Sequence, residues 1–504
     1  MFSAAAAMDK EHVRKGFEGN GGCYLKRAAG TGITTARVAV WSLSERSVRK
    51  MADKMVTEIP NFEKYHTGIL GALGRADRDI YELLANEYER MLNSLQLIAA
   101  ENLCSQAVLA ALGSVVQNKT TEGFVGRRYH GGCEVVDQIE TLAASRAREA
   151  FGAKYANVQP HSGTSANQII LTAILNAGDR ILSQGMDQGG HVSHGAKVSF
   201  GGKFFEVKQY CVDKTTFLLD YDAIRKQALR FKPKLIICGA SAYCRTIDFA
   251  QFRRIADEVG AFLLADVSHI AGLIAAGAHP SPIDEAHFTT TSTYKPGGPR
   301  GGLILMGRDF DSPVTSGSKS VPLWKLIDKM TFPGVQGTPY LNNVAAKAVF
   351  FKETLTDEYR TRQFRIIENA KVLAKNLVGL DYDVLTGGTD NHMVMLNISN
   401  SLKGLTGVIA QKSLEQCGII VNMNWLPFDT KSPAVTSGVR LGTPIVTRNA
   451  MGPKEMQRTT LLFDQALKAT KPTSDRDFEL NEDTKEHISN EVKELCRQFP
   501  FTQY

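Results

Sequence analysis

Three short segments place polar, reactive side chains directly after apolar runs that have the character of strands. The run Leu263–Ala265 ends in Asp266, and the Thr-rich run Phe288–Thr293 is followed closely by Lys295. A third segment leads from Val158 to a cluster of small hydroxyl residues. Because ligands of an open parallel sheet bind at the carboxyl ends of its strands, these side chains are the first candidates for a functional site.

Each segment has a chemistry of its own. A lysine at a strand end can lose contact with water, which lowers its pKa and frees the amine to attack a carbonyl. A carboxylate such as Asp266 is costly to bury unless a cation pairs with it. Ser162, Gly163 and Thr164 precede a helix-like stretch, where backbone N–H groups and hydroxyls can hold a phosphate. Taken singly, the three segments also fit a surface lysine, a structural aspartate and an N-capped turn.

Together, these features are the parts that pyridoxal 5'-phosphate requires of a protein. Lys295 is expected to form the Schiff base with the cofactor, while Asp266 pairs with the pyridinium nitrogen and keeps the ring a good electron sink. The phosphate is expected at Ser162–Thr164. The sequence therefore predicts a pyridoxal-phosphate enzyme in which Lys295 holds the cofactor.

The elements that must position these side chains follow from the hydrophobic pattern. Segments such as Phe249–Val259 have helical spacing and lie between short apolar runs. Runs that are apolar on both faces and separated by helices predict a mostly parallel sheet, covered by helices on both sides. The runs are Tyr155–Val158, Arg180–Leu182, Leu235–Cys238, Ala261–Ala265 and Gly302–Met306.

Length and local composition predict three regions, because 504 residues are too many for one ordinary domain. Residues 1–58, rich in Ala, Gly and Ser with scattered basic residues, predict an N-terminal extension. It is either a mitochondrial presequence or a plain disordered extension, so we expect a mitochondrial location with the cytoplasm as the alternative. Residues 59–350 are expected to form an N-terminal arm, with one helix through Ile80–Leu97, and a large cofactor-binding domain. Residues 351–504 are expected to form a smaller C-terminal domain.

The bulk composition excludes several classes of protein. Hydrophobic residues make up 43% and charged residues 22%, which is typical of a globular chain. The net charge of +7 is modest, and no dense Lys/Arg block predicts a nucleic-acid surface. No stretch approaches the roughly 20 apolar residues of a membrane-spanning helix. The eight cysteines lack the spacing of a zinc site, and we predict no bound metal.

Several longer stretches resemble the serine hydroxymethyltransferase family, between about residues 85 and 470. The resemblance implies the fold-type I architecture of pyridoxal-phosphate-dependent aminotransferases, with a smaller C-terminal α+β domain. It also implies a homodimer or homotetramer with active sites shared between subunits. In the family reaction the side-chain carbon of serine passes to tetrahydrofolate and glycine remains. The matching stretches are Leu97–Asn102, Arg128–Glu134, Tyr155–Gly163, Gly388–His392 and Thr436–Pro444.

The resemblance also implies roles for individual residues. Glu122 and His269 would act with Lys295 in catalysis, and Glu122 would handle protons near the serine hydroxyl. Arg440 would clamp the substrate carboxylate with its bidentate fork, with Tyr129 and His130 beside it. The residues implied for contacts with the cofactor are Lys295, Asp266, Ser162, Gly163, Thr164, Ser241, His269, Gln188, Gly334 and Val335.

Departures from the family pattern concentrate around this implied site, where Tyr294 replaces a histidine and Gln188 replaces a ring-stacking histidine. Lys295, Asp266 and Arg440 are nevertheless kept. Three hypotheses follow: a glycine hydroxymethyltransferase, a catalytically impaired paralogue that acts as a structural or regulatory partner, and a folate-independent aldolase on β-hydroxy amino acids. The departing residues are Ala100, Thr120, His130, Gln188, Tyr294, Val335 and Thr338.

Overall fold

The computed structural model describes residues 68–500. The predicted extension over residues 1–58 lies outside the described residues, so the mitochondrial location stays a prediction. The chain divides into two compact units, Met1–Ala72 and Leu73–Tyr504. Of the first unit, only residues 68–72 are described, and they contain the start of a helix. The fold and the site below belong to the second unit.

Helices and strands alternate along most of the described chain. The helices are α1 Ile69–Ala76, α2 Arg78–Leu92, α3 Gln106–Leu112, α4 Glu134–Phe151, α5 Gly163–Ile174, α6 Phe200–Phe204, α7 Tyr221–Phe231, α8 Phe249–Val259, α9 Ala271–Ala275, α10 Leu323–Lys329, α11 Leu341–Thr354, α12 Asp357–Gly379, α13 Ile398–Ser401, α14 Gly407–Gln416, α15 Pro444–Arg448, α16 Pro453–Lys468 and α17 Glu482–Gln498. The strands are β1 Leu95–Gln96, β2 Gly123–Phe124, β3 Arg127–Arg128, β4 Tyr155–Asn157, β5 Arg180–Gln184, β6 Glu206–Tyr210, β7 Leu235–Cys238, β8 Phe262–Asp266, β9 Phe288–Ser292, β10 Gly302–Met306, β11 Pro313–Ser316, β12 Lys319–Pro322, β13 Asp383–Val384, β14 Met393–Asn397, β15 Ile419–Ile420, β16 Asn422–Asn424, β17 Gly438–Gly442, β18 Thr470–Pro472 and β19 Phe478–Leu480. Between residues 68 and 500, no helix has both the length and the apolar character that crossing a membrane requires.

A seven-stranded sheet, in the order β4-β10-β9-β8-β7-β5-β6, forms the centre of the larger part. Strands β6, β5, β7, β8 and β9 run parallel to one another, which confirms the predicted mostly parallel sheet. Strand β10 runs antiparallel to both β9 and β4, a direction that the sequence pattern did not indicate. Because β9 and β10 form a hairpin, the loop between them lies at the carboxyl end of β9.

Helix α8 shows how local sequence produces the helices that cover this sheet. Asp248 accepts a hydrogen bond from the backbone of Gln251 and caps the first turn, and Gly260 ends the helix in the left-handed conformation. Phe252 and Ile255, three residues apart, are buried in the core that also contains side chains of β7 and β8. Each such side chain contributes about 2 kcal/mol by leaving water. The predicted helix Phe249–Val259 is confirmed at both ends.

A smaller antiparallel sheet, in the order β13-β14-β17-β16, forms the centre of a second core. Helix α12 packs against α16, and both bury apolar side chains in this core. The predicted smaller α+β region is thus present. Helix α11 runs through residues 350 and 351 and packs against α3 and α4, so the predicted domain boundary at that point stays a prediction.

The predicted single helix over Ile80–Leu97 is wrong at its C-terminal end. Helix α2 ends at Leu92, where Asn93 donates hydrogen bonds from its backbone and its side chain to the carbonyl of Glu89. Leu95 pairs with β15 in strand β1, and Leu97 follows it into the smaller core. The apolar spacing continues past the helix because alternate residues of a strand also face a core.

Candidate active site

The carboxyl ends of four neighbouring strands, β5, β7, β8 and β9, meet at one cavity. Asp266 is the last residue of β8, and Lys295 lies in the loop after β9. The structure therefore brings together four of the predicted residues, Lys295, Asp266, Ser241 and His269. We call this space the lysine cavity; its lining is His191, His194, Ala240, Ser241, Asp266, Ser268, His269 and Lys295.

Asp266 is a buried carboxylate, and each of its two oxygens accepts hydrogen bonds. Its Oδ2 accepts hydrogen bonds from Asn167 Nδ2 at 2.7 Å and His194 Nε2 at 3.0 Å, and its Oδ1 accepts from the Ser268 hydroxyl at 2.6 Å. Burial alone would raise the pKa of Asp266. The hydrogen bond and the charge of His194 oppose this most strongly, followed by the charge of His191 and the hydrogen bond of Ser268. Together they hold the pKa of Asp266 far below its usual range. The carboxylate therefore stays ionised.

Lys295 lies in a closed loop that holds its backbone in place. The loop is closed where the backbone N–H of Thr293 donates to the carbonyl of Gly301 at 3.0 Å. The side chain of Asn102 donates to the Lys295 carbonyl at 3.1 Å. Burial lowers the pKa of the Lys295 amine to about 8, with Asp266 raising it and Arg440 lowering it further. A larger share of this amine is therefore neutral, and nucleophilic, near neutral pH than for an exposed lysine.

Arg440 reaches the wall of the lysine cavity from the smaller sheet. It lies on β17, paired with Asn422 of β16, and its Nε donates to the Asn422 Oδ1 at 3.2 Å. Its Nη1 donates to the carbonyl of Ser241, which follows β7. Burial lowers the pKa of Arg440 to about 10, so the guanidinium remains a cation at neutral pH. The contact between Arg440 and Ser241 thus connects the two sheets at the site.

His269 is a neutral, half-buried imidazole on the same cavity. Burial, then the charges of Lys295 and Arg440, hold the pKa of His269 well below its usual value. Its ring stacks on His392 with centroids 5.7 Å apart. Its Nδ1 is buried without a hydrogen-bond partner among the residues that the structure describes. His269 can therefore accept or donate a hydrogen bond to a bound group without moving a charge.

The predicted phosphate cradle lies at the start of α5, beside the lysine cavity. Ser162 caps the helix by accepting a hydrogen bond from the backbone of Ser165 at 3.0 Å. A Cβ atom on Gly163 would lie 3.3 Å from the Ser292 Cβ and 3.4 Å from the hydroxyl of Ser268, which lines the cavity. Thr164 is exposed in the first turn. None of the three predicted residues lines the lysine cavity itself.

His191, His194 and Asn167 lie at the site but were not predicted from the sequence. Both histidines follow β5 at the same sheet edge as Asp266, and a search of every strand end for imidazoles would have found them. Gln188, which was predicted to contact the cofactor, does not line the lysine cavity; its side chain donates to Asp187 at 3.2 Å. After Gln188, Gly189 adopts a positive φ and passes against the carbonyl of Ala242, where a Cβ would clash. Because of this turn, His191 lines the cavity and Gln188 does not.

A second group of predicted residues lies together but does not line the lysine cavity. The backbone N–H of Tyr129 donates to the Glu122 carbonyl at 3.0 Å, and that of Glu122 donates to His130 Nδ1 at 3.4 Å. The Tyr129 ring lies 5.4 Å from Phe332, in the turn that contains Gly334. A Cβ on Gly337 would lie 3.6 Å from the Glu122 carboxylate. We call this group the hairpin surface: Glu122, Tyr129, His130, Gly334 and Val335.

A family model described as serine hydroxymethyltransferase matches residues 73–462. The chain belongs to the serine hydroxymethyltransferase family. Members of this family are pyridoxal-phosphate-dependent transferases of fold type I, and both the family and the fold class that were predicted are confirmed. The matched range contains the whole lysine cavity and Arg440.

The residues of the lysine cavity fit the cofactor that serine hydroxymethyltransferases use. An ionised carboxylate, Asp266, and a buried amine of lowered pKa, Lys295, line one space. Ser292 lies against Gly163 through its backbone N and its Cβ, and its Oγ is buried and finds no partner within residues 68–500. His269 Nδ1 is the second such atom, so two polar atoms are available to a bound polar ligand.

Three groups that could bind a metal also meet in this cavity. Single ligand atoms of His191, His194 and Asp266 lie within 4.8 Å of one another. His194 and Asp266 lie this close because they are hydrogen-bonded to each other. The expectation that the protein binds no metal stays a prediction.

Proposed function

We propose that this chain is a glycine hydroxymethyltransferase, which interconverts serine plus tetrahydrofolate with glycine plus methylenetetrahydrofolate. The observation that carries the proposal is the Lys295 amine and the ionised Asp266 in one cavity, beside the cation of Arg440. Pyridoxal 5'-phosphate, when bound, supplies an electron sink for negative charge that develops on the amino acid.

In this proposal residues of the lysine cavity and of the neighbouring phosphate cradle hold the parts of the cofactor. Lys295 binds its aldehyde, and Asp266 keeps a proton on the ring nitrogen, since the carboxylate is ionised and fixed by its neighbours. The phosphate is held by the backbone and hydroxyls at Ser162–Thr164. His191 takes the place beside the ring that was first assigned to Gln188. Burial lowers the pKa of His191 to about 4, so its imidazole is neutral and suited to stacking.

Arg440 holds the substrate carboxylate in this proposal. Its guanidinium is oriented by Asn422 and the Ser241 carbonyl, so the fork is already ordered before a substrate binds. A planar cation with several N–H donors binds a carboxylate with two parallel hydrogen bonds. The amino acid is thereby turned so that its amine faces Lys295. Glu122 would then accept and return the proton of the serine hydroxyl.

The hairpin surface completes the site of a second copy of the chain in our proposal. Its residues lie together in one chain but apart from the lining of the lysine cavity. Helix α2 supports a homodimer, because Ile80, Leu83 and Leu84 leave 45%, 62% and 54% of their surfaces exposed on one apolar face. Such a face is typical of a surface that another chain covers.

Mixing two inactive variants tests the shared site. Lys295→Ala and Glu122→Gln are each expected to be inactive alone, because every site of either homodimer lacks one group. If the two groups of a site come from different copies, half of a randomly reassembled mixture is heterodimer with one intact site, so activity returns to about a quarter of wild type. The measurement is serine turnover after co-denaturation and refolding. An inactive mixture, in which heterodimers are nevertheless present, contradicts the shared site.

Serine cleavage with and without tetrahydrofolate tests the reaction itself. We expect tetrahydrofolate to accelerate the formation of glycine, because it captures the carbon that leaves serine. Equal rates with and without folate would instead establish the aldolase. A protein that stays colourless and inactive after addition of the cofactor would support the impaired paralogue and contradict the proposal.

A further inference from the structure

Lys347 is a buried amine that takes no part in the lysine cavity. It lies on α11, where 1% of its surface is exposed. Its Nζ donates hydrogen bonds to three backbone carbonyls: Val158 at 2.7 Å, Gly302 at 2.8 Å and Pro160 at 3.2 Å. In the described part of the chain, no carboxylate forms an ion pair with it. A charged group is costly to bury, so these carbonyls must compensate it.

The three carbonyls favour the charged form of Lys347. An ammonium has three N–H donors, one for each carbonyl, whereas a neutral amine has only two. Burial lowers the pKa of Lys347 to about 7, and the nearest carboxylate that acts on it, Glu140, raises the pKa. Glu140 itself is hydrogen-bonded to Arg128 and Gln159. The three carbonyls therefore form a cation-binding site that the ammonium group of Lys347 occupies.

The carbonyls that Lys347 binds belong to the two segments that flank the lysine cavity. Val158 and Pro160 directly precede the cradle at Ser162, and Gly302 ends the loop that carries Lys295. The backbone N–H of Gly302 also donates to the Pro160 carbonyl at 2.9 Å. Lys347 thus joins the cradle segment and the lysine loop at one point.

Gly301 brings the lysine loop against the side chain of Lys347. A Cβ on Gly301 would lie 2.5 Å from the Cε and 2.8 Å from the Nζ of Lys347, closer than side-chain atoms can approach. The Gly301 carbonyl closes the loop by accepting from Thr293. A shift of Lys347 would therefore be transmitted to the segment that positions Lys295.

We propose that Lys347 is a positioning residue that fixes the phosphate cradle relative to the loop of Lys295. Its effect on cofactor binding rests on the proposed function, whereas its effect on the two segments does not. The cofactor would be held at two ends, the phosphate by the cradle and the aldehyde by Lys295. A loosened connection between these ends costs binding, because both must be in place at once.

Lys347→Met, which keeps the length of the side chain and removes its donors, tests the proposal. In the protein without cofactor, we expect faster hydrogen–deuterium exchange in residues 158–164 and 293–302, with the rest of the chain unchanged. Because the Val158, Pro160 and Gly302 carbonyls each lose the hydrogen bond from Lys347, the affinity for pyridoxal phosphate is expected to fall about tenfold or more. Lys347→Gln, with two N–H donors, is expected to change exchange and cofactor affinity less than Lys347→Met does. It replaces Lys347→Met in the test if the methionine variant does not fold.

Tyr382→Phe is the matched control, since it removes a buried hydrogen bond to Asp464 of 3.0 Å in the smaller core. It is expected to lower stability without changing exchange in the two segments or cofactor affinity. The proposal is overturned if Lys347 variants exchange like wild type in both segments, or if Tyr382→Phe weakens cofactor binding equally. If the wild type binds no cofactor, the proposed function is contradicted. Hydrogen–deuterium exchange in residues 158–164 and 293–302 then still tests the role of Lys347.

Discussion

Lys295→Ala is expected to abolish the yellow colour of the cofactor-loaded protein and to lower serine turnover at least about a thousandfold. The colour comes from the covalent bond between the cofactor and a lysine amine, and Lys295 is the amine of lowered pKa that shares a cavity with Asp266. Alanine removes the amine that forms this bond in the proposed function. Visible absorbance and the rate of glycine formation from serine are the two measurements.

Lys352→Ala is the matched control, because Lys352 is an exposed lysine in the last turn of α11. This variant should keep both the colour and the turnover of the wild type. Residual colour in Lys295→Ala, stable to dialysis, would mean that another amine holds the cofactor. In that case Lys295 would have to be removed from the active site.

Asp266→Asn is expected to lower turnover about a hundredfold while the protein stays folded. Asparagine keeps the shape of the side chain but not the negative charge that holds a proton on the ring nitrogen. In the proposed function Asp266 would hold that proton, and without it the bound cofactor would be a weaker electron sink, so turnover would slow. The effect should fall mainly on kcat, measured at saturating cofactor and serine.

Asp464→Asn provides the comparison for Asp266→Asn. Asp464 is also a buried carboxylate, which accepts hydrogen bonds from Tyr382 at 3.0 Å and Lys468 at 2.9 Å, but it lies on α16 in the smaller core. Its replacement is expected to change stability and leave kcat unaffected. Wild-type kcat in Asp266→Asn would contradict the pairing of Asp266 with the cofactor.

Much of the site was predictable because its residues follow strands whose pattern is local. Asp266 ends one buried run and Lys295 lies three residues beyond another, and such runs can be recognised in the sequence without knowledge of the strands beside them. The predicted helix Ile80–Leu97 failed for the same reason, since the spacing of apolar residues does not distinguish the end of a helix from the start of a buried strand. The presence of His191 in the lysine cavity was not predicted, because the turn at Gly189 that precedes it depends on a contact with Ala242.

The amino-acid sequence by itself determined the family, through long stretches that resemble serine hydroxymethyltransferases. It also determined the mostly parallel sheet and the pair Lys295 and Asp266, because strand and helix periods and reactive side chains are local properties. Tertiary structure alone decided the direction of β10, the position of His191 and the contact of Arg440 with Ser241. Those features depend on how segments far apart in the chain pack against each other. No pattern within one segment contains that information, since burial and hydrogen bonding between segments are settled only when the whole core forms.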